Sequence, residues 1–266
     1  MKAEYFCRLR KQSSLPLADQ RVILEGCFSS SLEEVRRNPD TEFDDVRAKD
    51  ILNKIALGYP ANYLAGYRDV QHRRLFLNED TLIPRNETIW FVFDYLKNNY
   101  SFNGRKVLDI GTGSGLIALG IKKSFPDADV LASDISSKAL EEAKKSSEFN
   151  GIKVDFINSD FFSEIKGCFD IIISNPPYIE EDSKDVDAKY EPSLALYSGK
   201  DGCDSYRKIF SDLDSHLTPG GLSFFELEST NVKRILDIAD EKLPSYMKEV
   251  IADQYQRPRY LKRKKI

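Results

Sequence analysis

The stretch Asn175-Pro176-Pro177-Tyr178 follows the apolar run Phe169-Asp170-Ile171-Ile172-Ile173-Ser174. None of its four residues is a ready nucleophile or general base at neutral pH, so the chemistry it can serve is one of holding. Planar amide and aromatic amino nitrogens need to be held. Their lone pair is delocalised into the adjacent π system, and attack requires the N–H groups to be gripped while the lone pair faces an electrophilic carbon. Asn175 offers a side-chain carbonyl, and the Pro176 carbonyl is a second acceptor on a backbone stiffened by proline. Tyr178 can cover the flat face of the group, and such positioning lowers a reaction barrier substantially. The competing reading is an Asx-type turn made rigid by two prolines.

A second chemical signal is Asp109-Ile110-Gly111-Thr112-Gly113-Ser114-Gly115, directly after the apolar Val107-Leu108 and before a helical pattern from Leu116. Glycines at such a strand-to-helix turn let a ligand approach the backbone and the helix N-terminus. The spacing is G-x-G-x-G, whereas a dinucleotide fingerprint reads G-x-G-x-x-G. Asp109 at the strand end would repel a pyrophosphate and suit a cationic ligand. S-adenosylmethionine carries an ammonium and a sulfonium and no phosphate. Asp134 ends the next apolar run, where a carboxylate could accept both ribose hydroxyls. Asp160 and Phe161 follow the third run, where an acceptor for the adenine amino group and a ring beside its face are expected.

These residues need a scaffold. From Lys106 onward, "KVLDI", "DVLAS", "VDFIN", "FDIIIS" and "GLSFFELE" alternate with helical patterns that begin at Leu116, Ser137 and about Asp204. Buried strands alternating with helices predict a doubly wound parallel sheet, and ligands bind at the carboxyl edge of such sheets. Ser136 or Ser137 is the expected N-cap of the second helix, and Asn150-Gly151 its stop. The first 64 residues show apolar spacings of three and four (Val22, Ile23, Cys27; Val46, Ile51, Leu52, Ile55), punctuated by Pro16, Pro39 and Gly58-Tyr59-Pro60, and predict a small bundle of short helices. Between the two regions, short runs on either side of Gln71-His72-Arg73-Arg74 predict a hairpin.

The bulk properties narrow the function classes. A chain of 266 residues with a net charge of -4 and 31% charged residues has no apolar run long enough to span a bilayer, and its N-terminus lacks the pattern of a secretory signal, so a cytoplasmic location is expected. The four cysteines are scattered, with no C-x-x-C pair, and read as small buried or part-buried hydrophobes. His72 and His216 share no motif, and no metal is expected. Mild acidity argues against nonspecific nucleic-acid binding, and the basic run "YLKRKKI" at the end of the chain reads as a solvated tail.

Taken together, "YLAG" from Tyr63, "LIPRNET" from Leu82, "DIGTGSG" from Asp109, "SDIS" from Ser133, "SNPPY" from Ser174 and "YEPSLALYSGKDG" from Tyr190 resemble the HemK/PrmC protein-(glutamine-N5) methyltransferases. That family modifies the glutamine of the Gly-Gly-Gln motif in class I peptide-chain release factors. The resemblance implies an α/β fold: a Rossmann-like class I S-adenosylmethionine-dependent methyltransferase domain over 86–266, a helical substrate-docking domain over 1–64 and a hairpin linker over 65–85. It implies that Gly111, Thr112, Gly113, Ser114 and Gly115 line the cofactor, with Asp134 on the ribose and Phe161 near adenine. Asn175 would meet both cofactor and substrate, and Pro176, Pro177 and Tyr178 the glutamine side chain. Asn86 and Ile89 stand where the family usually has proline and glutamate, and Glu228 where glycine is usual.

Two other classes compete. An N6-adenine or exocyclic guanine methyltransferase would present the same delocalised nitrogen, but a base-modifying enzyme must also extract the base and grip the backbone, and no basic recognition segment is evident. A non-catalytic cofactor-binding interaction protein has no need of the Asn175–Tyr178 stretch. The expected partner is therefore a release factor, with no membrane and no direct nucleic-acid substrate.

Overall fold

The structure, a computed structural model, describes residues 17–38, 40–183 and 189–266. The helical pattern expected before Leu17, together with Cys7, Pro16 and Pro39, lies outside the described residues. Among the described residues four short helices come first: α1 (Leu17–Phe28), α2 (Leu32–Arg37), α3 (Asp45–Ala56) and α4 (Ala61–Ala65). Two are started by side chains. Ser31 and Glu34 form a reciprocal capping box on α2, and Asp44 Oδ1 accepts the Arg47 N–H at 2.7 Å on α3. Ile23, Leu24, Val35, Ala48 and Ile51 make the core of this region. Val46 does not join it; at 80% exposure it sits on the outer face of α3, contrary to the sequence pattern.

Strands β1 (Tyr67–Val70) and β2 (Arg73–Phe76) form the hairpin. Its turn is two residues, Gln71 and His72, both at positive φ (48° and 62°), the backbone sense that matches the twist of paired strands. Arg73 and Arg74 belong to β2 instead of the turn.

Next, α5 (Asn86–Trp90) runs through a π-helical segment, Phe91–Leu96, into the short α6 (Lys97–Asn99). The wide turn lets the Phe91 ring stack on Tyr260 at 3.8 Å between centroids. The α/β region continues as β3 (Lys106–Ile110), α7 (Leu116–Ser124), β4 (Asp129–Asp134), α8 (Ser137–Asn150), β5 (Asp155–Asn158), β6 (Phe169–Ser174), α9 (Ser193–Leu196), α10 (Asp204–His216), β7 (Leu217–Glu226), α11 (Val232–Lys242), β8 (Met247–Ala252) and β9 (Pro258–Lys264). Ser136 is the N-cap of α8, and Gly151 closes that helix in the left-handed region.

The seven strands order as β5-β4-β3-β6-β7-β9-β8. The first five are parallel, and β9 inserts antiparallel between β7 and β8. Helices cover both faces, which explains the run of isoleucines in β6. Ile171 and Ile173 face one core with Val107, Phe224 and the α5–α7 region, while Ile172 faces the other with Leu108, Phe225 and helices α10 and α11. Each such side chain contributes about 2 kcal/mol by leaving water.

The hairpin is fastened to α8. Asn150 Oδ1 accepts the Arg74 N–H at 3.1 Å while its Nδ2 donates to the Arg74 carbonyl at 2.7 Å, and the Phe76 N–H donates to Ser146 Oγ at 2.8 Å.

Two expectations are corrected. Cys27 and Cys203 are buried, but Cys168 is exposed. The basic run at the end of the chain is no solvated tail, because most of it forms β9, pairing with both β7 and β8. Arg263 in that strand is 1% exposed; its guanidinium donates to Asp240 at 2.8 Å and to the Leu243 carbonyl at the end of α11. Alternation in a β-strand, invisible in a run of like charges, is what turns Arg263 inward. Arg263→Ala is therefore expected to cost about 3 kcal/mol in urea denaturation, where a solvated arginine would change stability by less than about 0.5 kcal/mol.

Candidate active site

Parallel pairing places the two chemical motifs side by side. Ile110 of β3 is in register with Ser174 of β6, so the loops that follow leave the same sheet edge as neighbours. The Ser174 hydroxyl donates to the Ile110 carbonyl at 2.7 Å and ties the two strand ends together.

The glycine loop is built from within. Asp109 is fully buried, and its Oδ2 accepts the Thr112 hydroxyl at 2.7 Å and the Ala118 N–H at 3.0 Å. Its Oδ1 has no hydrogen-bond partner among the described residues, and burial raises the carboxyl to about 7. Asp109 thus acts on the loop and on the start of α7, and it does not face the cleft as a ligand carboxylate would. Gly115 caps α7 at φ 88°, and an added Cβ there would lie 3.1 Å from Leu119, so this glycine serves close packing behind the loop. Gly111, Thr112, Gly113 and Ser114 form the cleft wall.

The donors of the loop answer the question of ligand charge. The N–H groups of Gly111 and Thr112 both donate to the Ser133 carbonyl, at 2.8 and 2.9 Å, and the Gly115 N–H donates to the Thr112 carbonyl. The Gly113 N–H donates to Asp134 Oδ2 at 2.9 Å. A phosphate cradle needs such N–H groups free, and here they are engaged beside a carboxylate. The loop fits an uncharged or cationic nucleoside and not a pyrophosphate.

Asp134 ends β4, with its other oxygen accepting the Ser136 N–H at 2.9 Å. Burial raises its carboxyl above the ordinary value against these bonds. Each oxygen keeps a further lone pair for a hydroxyl. Asp160 and Phe161 lie across the same cleft, Phe161 with its backbone at φ 50°, uncommon for a bulky side chain. Lys208, to which the sequence analysis gives no role, approaches both: its Nζ is 3.7 Å from Asp160 and 5.5 Å from the Phe161 ring centre. The cleft has a volume of about 360 Å³.

Asn175, Pro176 and Pro177 also line this cleft, whereas Tyr178 does not. Tyr178 instead faces a second cavity of about 590 Å³, together with Glu180, Glu228, Asn231 and Arg234. Asn175 lines both, as do Leu82, Arg85 and Ala195. Burial and the nearby Glu226 and Glu228 push the Tyr178 hydroxyl up, so it stays protonated and acts as a neutral ring.

The Asn175–Tyr178 segment is held by chain from further on. The Tyr178 and Ile179 N–H groups donate to the Leu196 carbonyl, and Asn231 Nδ2 donates to the Tyr178 carbonyl at 3.1 Å. Arg85 is neutralised by Glu191, whose buried carboxylate also accepts the Ile83 N–H at 3.2 Å, joining "LIPR" to "YEPS". Other charges at the second cavity are likewise paired, Arg234 with Glu180 at 3.2 Å and Arg259 with Glu228 at 3.6 Å. The departures from the family pattern have local partners: Asn86 Oδ1 accepts from Arg68 at 2.6 Å, and Ile89 packs on the core. Among the described residues no cluster of three or more His, Cys, Asp or Glu side chains is placed to hold a metal ion, and no helix is long and apolar enough to cross a membrane.

A family model for the methyltransferase small domain matches residues 91–191. The chain is 31% identical to the release factor glutamine methyltransferase of Deinococcus radiodurans, over 93% of this chain and 90% of that protein. It is 35% identical to the release factor glutamine methyltransferase of Streptococcus pneumoniae, over 86% and 83% of the two chains. Among solved structures, a methyltransferase from Pyrococcus furiosus matches the fold with a TM-score of 0.56 at 20% identity, covering 84% of this chain and 99% of that one. This chain belongs to the release factor glutamine methyltransferase family.

Proposed function

We propose that the protein transfers the methyl group of S-adenosylmethionine to the side-chain amide nitrogen (N5) of the glutamine in the Gly-Gly-Gln motif of class I release factors. The observation that carries the reading is the position of Asn175 on the boundary of two cavities, one suited to a phosphate-free nucleoside and the other to an uncharged side chain. In the first, Asp134 would accept the ribose hydroxyls, Asp160 the adenine amino group, and Phe161 would lie beside the base. Bound there, the cofactor would supply an electrophilic methyl on a cationic sulfur.

The protein's own residues supply orientation. Asn175 Oδ1 and the Pro176 carbonyl would accept the two N–H groups of the glutamine amide, turning its lone pair toward the methyl. Tyr178, neutral and anchored through its backbone, would bound the amide plane from the second cavity. Held this way, the nitrogen lone pair would take the methyl that the cofactor supplies, the bonding pair leaving with sulfur. The amide nitrogen then loses a proton to water, so no strong base is required at the site. The helical region over 1–64 is assigned to docking the release factor, and the cytoplasm, where translation terminates, to be the site of action.

Three incubations with labelled cofactor test this reading, using a release factor, the same factor with its Gly-Gly-Gln glutamine replaced, and nucleic acid. Label is expected on the first alone, and label on nucleic acid alone would refute it. Asn175→Ala should lower kcat by at least about 100-fold with the fold retained by circular dichroism; near-normal turnover would show the role to be misassigned. Asp134→Ala should weaken cofactor binding by about 10- to 100-fold in calorimetry, and unchanged affinity would reject the ribose assignment.

A further inference from the structure

An amide side chain is nearly symmetric in shape and opposite in function at its two ends. If Asn175 presented its NH2 to an incoming amide nitrogen, donor would meet donor, and the lone pair would not be released toward the electrophile. Something must distinguish the two orientations.

Three elements converge on this point. Asn175 follows β6, Thr88 lies on α5 and Glu226 ends β7. Asn175 Nδ2 donates to Thr88 Oγ1 at 3.5 Å, a long contact of the kind seen before ligands close an active site. The Thr88 hydroxyl donates to Glu226 Oε2 at 2.7 Å. Thr88 and Glu226 are each 3% exposed. A carboxylate sealed at that depth is costly, and this one is not required by the sheet, whose ladder runs through its backbone.

We propose that Glu226 and Thr88 form a positioning relay that fixes the direction of the Asn175 amide, so that Oδ1 and not the NH2 meets the substrate nitrogen. The inference rests on the role given to Asn175 above. Direction passes along the chain by elimination. An ionised carboxylate only accepts, so the Thr88 proton must point to Glu226; Thr88 Oγ1 then accepts, so the NH2 of Asn175 must point to Thr88, leaving Oδ1 for the substrate. Were Glu226 protonated, it could donate to Thr88, whose proton would be free to meet Oδ1 and reverse the amide.

The charge state of Glu226 therefore matters. Burial raises its carboxyl to about 7, opposed by the Thr88 hydrogen bond and by Arg259 of β9, and reinforced by Glu87 and Glu228. Burial and the nearby Glu226 push the hydroxyls of Tyr178, Tyr206 and Tyr260 up, so they stay neutral through this range. The relay is thus set above about pH 7 and lost as pH falls through that value.

Two measurements test the proposal, one of which needs no substrate. In the free protein, the side-chain NH2 signals of Asn175, assigned by their absence in Asn175→Ala, should titrate near pH 7 in 15N–1H spectra and be static in Glu226→Gln. Signals unmoved by pH in the wild-type protein, or moved equally in both proteins, would overturn the relay. In methyl transfer to a release factor, Thr88→Val, which keeps the volume and loses the hydroxyl, should lower kcat by about 10- to 100-fold with cofactor affinity within about threefold of wild type. Thr88→Ser should restore kcat to within about threefold of wild type. Full activity of Thr88→Val, equal damage in Thr88→Ser, or a loss confined to cofactor affinity would each contradict it. Absence of label on the glutamine with wild-type protein would instead refute the proposed function, and the spectra would still decide the relay.

Discussion

The site depends on the register of β3 against β6. Because the strands are parallel and Ile110 is opposite Ser174, the glycine loop and the Asn175–Tyr178 segment emerge at one edge, with a hydroxyl-to-carbonyl bond across the seam. A slip of one residue would exchange Ile171 and Ile173 with Ile172 between the two cores and carry Ser174 away from the Ile110 carbonyl. The candidate site inherits its precision from the packing of the two cores, whose outermost members Ile110, Leu116 and Ile117 reach the cleft wall.

Around the second cavity the charged side chains are paired. Arg85 meets Glu191, Arg234 meets Glu180 and Glu228 meets Arg259. Asp109 and Glu226, by contrast, are buried carboxyls raised to about 7. Both bind a proton more tightly folded than unfolded, so their stabilising contribution is present at low pH and is lost as pH rises through about 7. At neutral pH they cost stability; one shapes the glycine loop, and the other is proposed to orient an amide. This is the pattern expected where function, and not packing, decides a residue.

Much of this was legible in the sequence because it rests on local rules. The glycine spacing, the capping serine at 136, the alternation of strands and helices and the unusual Asn-Pro-Pro-Tyr stretch each follow from short-range chemistry. What was not legible depends on long-range pairing. Nothing in "YLKRKKI" tells that Arg263 faces inward, because that requires knowing that β9 inserts between β7 and β8. Asp109 reads as a ligand group until its distance to Thr112 is known, and Gly115 reads as a contact until Leu119 is seen behind it. Thr88 lies in "LIPRNET", a segment that carries the resemblance, and Glu226 in the strand run "GLSFFELE", but 138 positions separate them and only the sheet brings them together.

The central claim is that two oxygen acceptors at the sheet edge grip a reluctant nitrogen between a nucleoside cleft and a side-chain cavity. A crystal structure of the protein with S-adenosylhomocysteine and a glutamine-containing peptide tests it most directly. The account predicts the glutamine amide nitrogen about 3 Å from both Asn175 Oδ1 and the Pro176 carbonyl, with its free face toward the cofactor sulfur. A glutamine lodged elsewhere, with Asn175 and Pro176 turned to solvent, would contradict it.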